Sequence, residues 1–227
     1  MTALEIEIEH IKNSILDSIM LATSQLNKAK EAIFSMDVSI AEEILSNENR
    51  LNALELSIDR DCENILARFN PVAIDLRFIM AGLKINSDIE RIGDYAASCA
   101  NYVLELKKPF NQELLDNMKL EKMFERALKM MNFIYDSFAK EDTKIARSVF
   151  KKDAKLNKIS KSASSIIDKY VKDYPDQVRH CLYMFSIIKK LERVGDHLKN
   201  ISEELIFYLE AEVLRHNKQK KNKKNDD

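Results

Sequence analysis

Glycine and proline are nearly missing from this chain: its 227 residues contain three of each, and no tryptophan. Tight turns and sheet corners draw on glycine and proline, so their scarcity excludes a strand-rich fold with many short connections. Cysteine is scarce too. Cys62, Cys99 and Cys181 are odd in number and far apart. That excludes a disulfide framework and metal-finger spacing, and it points to free thiols in a reducing compartment. With no base beside them, they read as core fillers and not as nucleophiles. No window approaches eighteen uncharged apolar residues, so no transmembrane helix is expected. The opening segment MTALEIEIEH places an acid at every second position from Glu5 to Glu9 and lacks the pattern of a signal peptide. Charge of one sign is also missing. Lys and Arg number 36 against 37 Asp and Glu, a formal net charge of -1, which argues against bulk nucleic-acid binding.

What remains is helix-forming. Leu, Ile, Ala, Glu, Lys and Met dominate, and most of these favour helices. Ile8, Ile11, Ile15, Ile19, Ala22, Leu26, Ala29 and Ile33 recur at intervals of three and four, which predicts an amphipathic helix over 5–35. Asp37 marks a break and caps a second helix over 38–69, whose apolar face carries Ile40, Ile44, Leu51, Leu54, Ile58, Ile65 and Phe69. Pro71 is tolerated near the start of a third helix. That helix runs from about Val72 to about Lys107 and ends before Pro109. Helices of roughly 30 residues are about 45 Å long, and short connections force them to run up and down against one another.

The plan then restarts. DVSIAEEILSNENRLNAL from Asp37 matches DTKIARSVFKKDAKLNKI from Asp142, pairing Ala41 with Ala146, Glu48 with Asp153, Leu51 with Leu156 and Asn52 with Asn157. LRFIMAGLKINSDIERIGDYAAS matches VRHCLYMFSIIKKLERVGDHLKN, pairing Arg77 with Arg179 and Glu90–Asp94 with Glu192–Asp196. The second copy is shorter between its second and third helices. Generic amphipathic helices would reproduce the apolar period, but not E-R-[IV]-G-D at the same place twice. The expected fold is all-α: six long helices in two tandem three-helix bundles, over 1–108 and 109–214. The remainder, 215–227, includes HNKQKKNKKNDD. It is basic and poor in apolar residues, which predicts disorder and a weak attraction to anionic lipid of about 1 kcal/mol per Lys.

The repeated pentapeptide is the sharpest chemical signal. Glu90 and Asp94 are four apart on a helix, as are Glu192 and Asp196, so each pair shares a face and repels by a few tenths of a kcal/mol. The second helices offer facing groups: Glu48, Asn52 and Glu55 in one copy, Asp153, Asn157 and Ser160 in the other. The stripes continue through Ser98 and Asn101, and through Asn200 and Glu203. Bundles do build metal sites from carboxylates on facing helices. Oxygen donors suit magnesium, manganese and iron. Glu-x-x-His is missing, which speaks against a ferritin-type oxidase. Two readings stay open from the residues alone: a bridged hard cation, or a solvated face paired with Arg91 and Arg193. Gly93 and Gly195 each cost about 1 kcal/mol relative to alanine in a helix, so another helix or an ion must approach closely there.

Other residues read more plainly. Met118, Met123, Met130 and Met131 read as core. His197 points about 100° away from Asp196 and reads as an exposed or half-buried polar residue. His10, His180 and His216 form no pattern. Arg77 and Arg179 hold either an anion or a structural ion pair, with Asp75 as partner in the first copy.

PVAIDLR from Pro71, LKINSDIERIGD from Leu83 and LERVGDHLKN from Leu191 resemble the PhoU family of bacterial phosphate-uptake accessory proteins and phosphate-signalling regulators. The resemblance spans nearly the whole chain. It implies a cytoplasmic, non-enzymatic protein of two three-helix bundles, commonly a homodimer, that damps the phosphate-starvation response. It implies docking onto the ATPase subunit of the phosphate ABC transporter and onto a membrane sensor histidine kinase. Membrane association would then come only through those partners. It also implies iron or zinc, ahead of magnesium or manganese, on the repeated acidic motifs. By position these are Glu48, Glu90 and Asp94 in the first copy, and Asp153, Glu192 and Asp196 in the second. Asn200 keeps the family's Asn four residues after the Asp, whereas Ser98 departs from it, so the second copy is the better match. Gln177 replaces the acid that precedes the Arg in the first copy. The rival readings are a carboxylate-bridged metalloenzyme, hydrolysing phosphoesters or handling oxygen, and a purely structural helical bundle.

Overall fold

The structure, a computed structural model, describes residues 1–106 and 108–214. The basic segment 215–227, with its expected disorder, lies outside the described residues, as do Lys107 and His216. The regular elements of the described residues are all helical.

Each helix start follows from a local cap. Before α1 (Ala3–Ser35), the Thr2 hydroxyl accepts from the Glu5 N–H at 3.2 Å, and the Glu5 carboxylate accepts from the Thr2 N–H at 2.7 Å. Asp37 starts α2 (Val38–Phe69) by accepting from the N–H groups of Ser39 and Ile40 at 2.8 and 3.3 Å. The third helix, α3, runs Ala73–Leu106 and opens just after Pro71.

The second copy varies this plan. Its first helix is split into α4 (Gln112–Asn117) and α5 (Leu120–Lys140), because Lys119 takes a left-handed conformation with φ 52°. The break lets Phe110, Leu114, Leu115 and Met118 fold inward, with the Phe110 ring edge-on to His180. Asp142 repeats the cap of Asp37, accepting from the Lys144 N–H at 2.8 Å, and α6 follows (Thr143–Asp173). A single turn of 3-10 helix at Pro175–Gln177 leads into α7 (Val178–Glu210). That turn stands where α3 has its first three residues, so the shortening falls at the end of α6 and in the connection.

All three glycines lie inside helices. Chain reversals therefore fall to other residues: Met36, Asn70, Glu141 and Ala211 close helices at φ 55°, 46°, 53° and 56°.

Helices α1, α2 and α3 pack together, as do α5, α6 and α7. The bundles join through α3 on α7 and α1 on α5. Both junctions are antiparallel. Along α3, Lys84, Asp88, Tyr102 and Glu105 meet Glu204, His197, Ser186 and Tyr183 in descending order. Lys12 and Lys30 of α1 meet Glu141 and Glu121 in the same sense. Equivalent helices thus face each other about an approximate twofold axis, while α2 and α6 form opposite flanks. The buried apolar side chains make one continuous cluster through both bundles. It includes the four singled-out methionines and the three cysteines, which are all buried and free.

Candidate functional site: two acidic seams

The glycines of the repeated motif set the distance between helices. A Cβ on Gly93 would stand 2.2 Å from Leu51 Cδ2 and 3.1 Å from Gln25 Oε1. A Cβ on Gly195 would stand 2.8 Å from Leu156 Cδ1 and 2.9 Å from Asp153 Oδ1. Leu51 and Leu156 are themselves equivalent residues. Each copy therefore seats a leucine of its second helix on the bare backbone of its third. Close helix approach is what both glycines provide, and it draws the flanking acids into a narrow seam.

In the first seam the acids crowd one another. Glu48, Glu90 and Asp94 are all half-buried. Burial, and then the Asp94 carboxylate, hold the Glu48 carboxyl above the usual glutamate range. Glu90 is raised by burial, by Asp94, with which it also shares a hydrogen bond, and by Glu55. Glu55 is raised by burial and by Asp59. Among the described residues the cation against them is Arg91, 3.6 Å from Glu90 and 3.3 Å from Asp94, and it is exposed.

The second seam is arranged differently. Asp153 is buried, and its Oδ2 accepts from the Asn157 amide at 3.2 Å. Burial by itself would raise the Glu192 carboxyl, but bonds from Lys189, at 2.7 Å, and from the Ser160 hydroxyl pull it below the usual range. Asp196 is exposed and Asn200 half-buried. The motif spacing makes the second copy the better match, yet the concentrated negative charge sits in the first.

The donor chemistry of the first seam, three to four carboxylates with one arginine, fits a hard cation. Among the described residues, however, no three His, Cys, Asp or Glu side chains are disposed to close a ligand shell. Glu48, Glu90 and Asp94 are brought together in charge, whereas in the second set Asp153 is bonded to Asn157, and Glu192 to Ser160 and Lys189.

Two sequence readings change. Arg77 does not pair with Asp75. Its Nε donates to the Tyr208 carbonyl at 3.1 Å, because residues two apart on a helix point about 200° apart. Arg179 instead meets the Tyr183 hydroxyl and Glu105. His197 is half-buried as expected, but it is also bonded. Its Nδ1 lies 2.6 Å from Asp88 and its Nε2 lies 3.2 Å from the Tyr95 hydroxyl. Nothing in the spacing around Asp196 shows this, because both partners come from the other copy.

Comparison with known proteins follows the same duplication. The PhoU domain model matches residues 15–103 and again 120–205. The chain belongs to the PhoU family. A phosphate-specific transport system accessory protein PhoU homolog from Burkholderia is 30% identical over 211 residues, covering 92% of this chain and 90% of the relative. Escherichia coli PhoU, described in the same terms, is 27% identical over 92% of this chain and 86% of its own length. The crystal structure of PhoU from Pseudomonas aeruginosa superposes with a TM-score of 0.87 at 29% identity, covering 92% of this chain and 99% of that one. A PhoU structure from Streptococcus pneumoniae, described as a phosphate transport system regulatory protein, gives 0.82 at 28% identity, covering 93% and 99%. The PhoU domains match the two bundles, and each match contains both the Leu–Gly contact and the acidic seam of its copy. Among the described residues no helix is long and apolar enough to cross a membrane.

Proposed function

We propose that the protein is a cytoplasmic, non-enzymatic regulator of phosphate uptake and phosphate-starvation signalling. It acts by docking onto the ATPase subunit of the phosphate ABC transporter, onto a sensor histidine kinase, or onto both. The observation that carries this reading is similarity, over 92% of the chain, to relatives described as phosphate-specific transport system accessory proteins. The bundle suits docking. Leu76 and Met80 on α3 are exposed, and so are their equivalents Val178 and Leu182 on α7. The duplication thus leaves apolar side chains at matching outward places on two rigid helices. The working form in this reading is a homodimer.

A cation on the first acidic seam is the second part of the reading. Glu48, Glu90 and Asp94 would hold it, with iron or zinc ahead of magnesium or manganese. The mutual crowding of these carboxylates supports it, since a cation would relieve their repulsion. In the second copy Asp153, Glu192, Asp196 and Asn200 are the matching set, and Lys189 already supplies a positive charge there.

The test is recovery of partners by the purified protein from cell extracts and solubilised membranes, prepared with and without phosphate starvation. Recovery of the transporter ATPase or a sensor kinase, changing with phosphate, is expected. Failure to recover either, with folded bait, would overturn the docking reading. Metal content after gentle purification tests the seam separately. A metal-free protein whose melting temperature ignores added iron, zinc or manganese would remove the cation.

A further inference from the structure

The duplication places four residues of α7 on one stripe: Ser186, Lys189, Lys190 and Arg193, spaced i, i+3, i+4 and i+7. Together with Tyr95 from α3 they line a half-open cleft of about 250 Å³ at the junction of the two bundles. The state of each cation decides what this cleft can do. Lys189 is held by Glu192 at 2.7 Å. Lys190 is half-buried and meets aromatic faces, with its Nζ 5.6 Å from the centre of the Tyr95 ring and 5.9 Å from that of Tyr102. Aromatic faces steady an ammonium without taking up its hydrogen-bond donors. Among the described residues, neither Lys190 nor Arg193 forms an ion pair.

The equivalent face of α3 is the internal control. Its residues are Lys84, Ser87, Asp88 and Arg91. Every charge there is spent: Lys84 on Glu204 at 3.0 Å, Asp88 on His197 at 2.6 Å, and Arg91 on Glu90 and Asp94. The two faces descend from one plan, and among the described residues only the second keeps cations outside ion pairs in a concave place. Tyr95 and Ser186 complete the lining, their hydroxyls engaged by His197 and Tyr102. A compact ammonium and a planar guanidinium one turn apart on α7 match a small polyvalent oxyanion better than a single-point carboxylate.

We propose that this cleft is a binding site for a phosphate-class oxyanion, either free phosphate or a phosphoryl group carried on another molecule, held by Lys190 and Arg193 of α7 at the bundle junction. The site rests on the geometry of α3 and α7 and not on the docking reading, so failed partner recovery and failed anion binding are separate results.

The experiment is calorimetric titration of the full-length protein with inorganic phosphate, and in a second arm with phenyl phosphate, at low ionic strength. Saturable binding at one site per chain is expected. Arg193→Gln and Lys190→Gln should each weaken it at least tenfold, and Lys84→Gln should leave it unchanged. Arg193 is exposed, so that variant keeps its fold, and an unchanged melting curve checks the Lys190 variant. Binding of phenyl phosphate without inorganic phosphate, lost in the same variants, would support the site and identify the ligand as a carried phosphoryl group. Binding of neither probe, or undiminished binding by the Arg193 variant, would overturn the proposal.

Discussion

Tyr95 and His197 occupy the same place in the two copies, 102 residues apart, and they touch each other: the Tyr95 hydroxyl lies 3.2 Å from His197 Nε2. Their neighbours follow the same symmetry. Asp88 bonds His197, and its equivalent, Lys190, lies over the ring of Tyr95. The approximate axis between the copies therefore passes close to this polar cluster, which lies in the α3–α7 junction between the Lys84–Glu204 and Tyr102–Ser186 contacts. His197→Ala removes two hydrogen bonds and leaves the half-buried Asp88 carboxylate without its partner. A loss of about 2 kcal/mol is expected, with about 1 kcal/mol for Tyr95→Phe. Urea unfolding of both variants checks the order.

The Leu51–Gly93 contact predicts strong coupling. Gly93→Ala drives a methyl into Leu51, which is 2% exposed and has no room to retreat. Overpacking costs about 1–3 kcal/mol, and the helix-propensity gain of about 1 kcal/mol offsets only part of it. Leu51→Ala alone should cost about 2–5 kcal/mol. The double variant should lose clearly less than the sum, since the added methyl enters the space the leucine vacated. A double-mutant cycle by chemical denaturation reads this directly. Strict additivity would show that the two side chains do not share that space.

The two seams respond to pH in opposite directions. Glu48, Glu55 and Glu90 have raised carboxyls. Their ionisation is thus less favourable in the folded protein, and they destabilise it at neutral pH. The penalty disappears as pH falls from 7 through their raised values towards the ordinary 4.5. Glu90→Gln should raise the melting temperature at pH 7 and give little gain near pH 4. Glu192 is lowered, so its stabilisation is present above the ordinary value and lost as pH falls through the folded one. Glu192→Gln should lower the melting temperature at pH 7 and do so less in acid. Melting curves for both variants across this range test the signs together.

Burial governs the thiols. It pushes both Cys62 and Cys99 up to about 12, so almost no thiolate forms at neutral pH. Iodoacetamide should leave both unmodified in the native protein and alkylate them once denaturant is added. Mass spectrometry of the two samples gives the answer. Rapid native labelling would mean that this core opens locally.

Much of the fold was legible because its signals are local. The spacing of Ile11, Ile15 and Ile19 defines a buried helix face wherever the helix ends up, and Asp37 and Asp142 cap by reaching only two or three residues ahead. The repeat of E-R-[IV]-G-D was enough to expect two equivalent bundles, and Gly93 and Gly195 announced a close helix approach through their cost in a helix. The break at Lys119 was less visible. Nothing local forbids helix there, and the turn repays itself by burying Phe110, Leu114 and Met118 across the end of the second bundle.

The sequence by itself determined the helices apart from the break at Lys119, the caps at Asp37 and Asp142, the duplication and the pairs of acids on one face. Only the tertiary structure decided how those charges are spent. Arg91 and Arg193 stand at the same place in the same motif, yet among the described residues Arg91 forms ion pairs and Arg193 does not, and Glu90 meets the Glu55 carboxylate of α2 while Glu192 meets the Ser160 hydroxyl of α6. The reason is physical. Spacing along one helix fixes which side chains share a face, whereas burial and charge depend on what the neighbouring helices bring to that face. For His197 and Lys190 the neighbours, Asp88 and Tyr95, come from the other copy, about a hundred residues away.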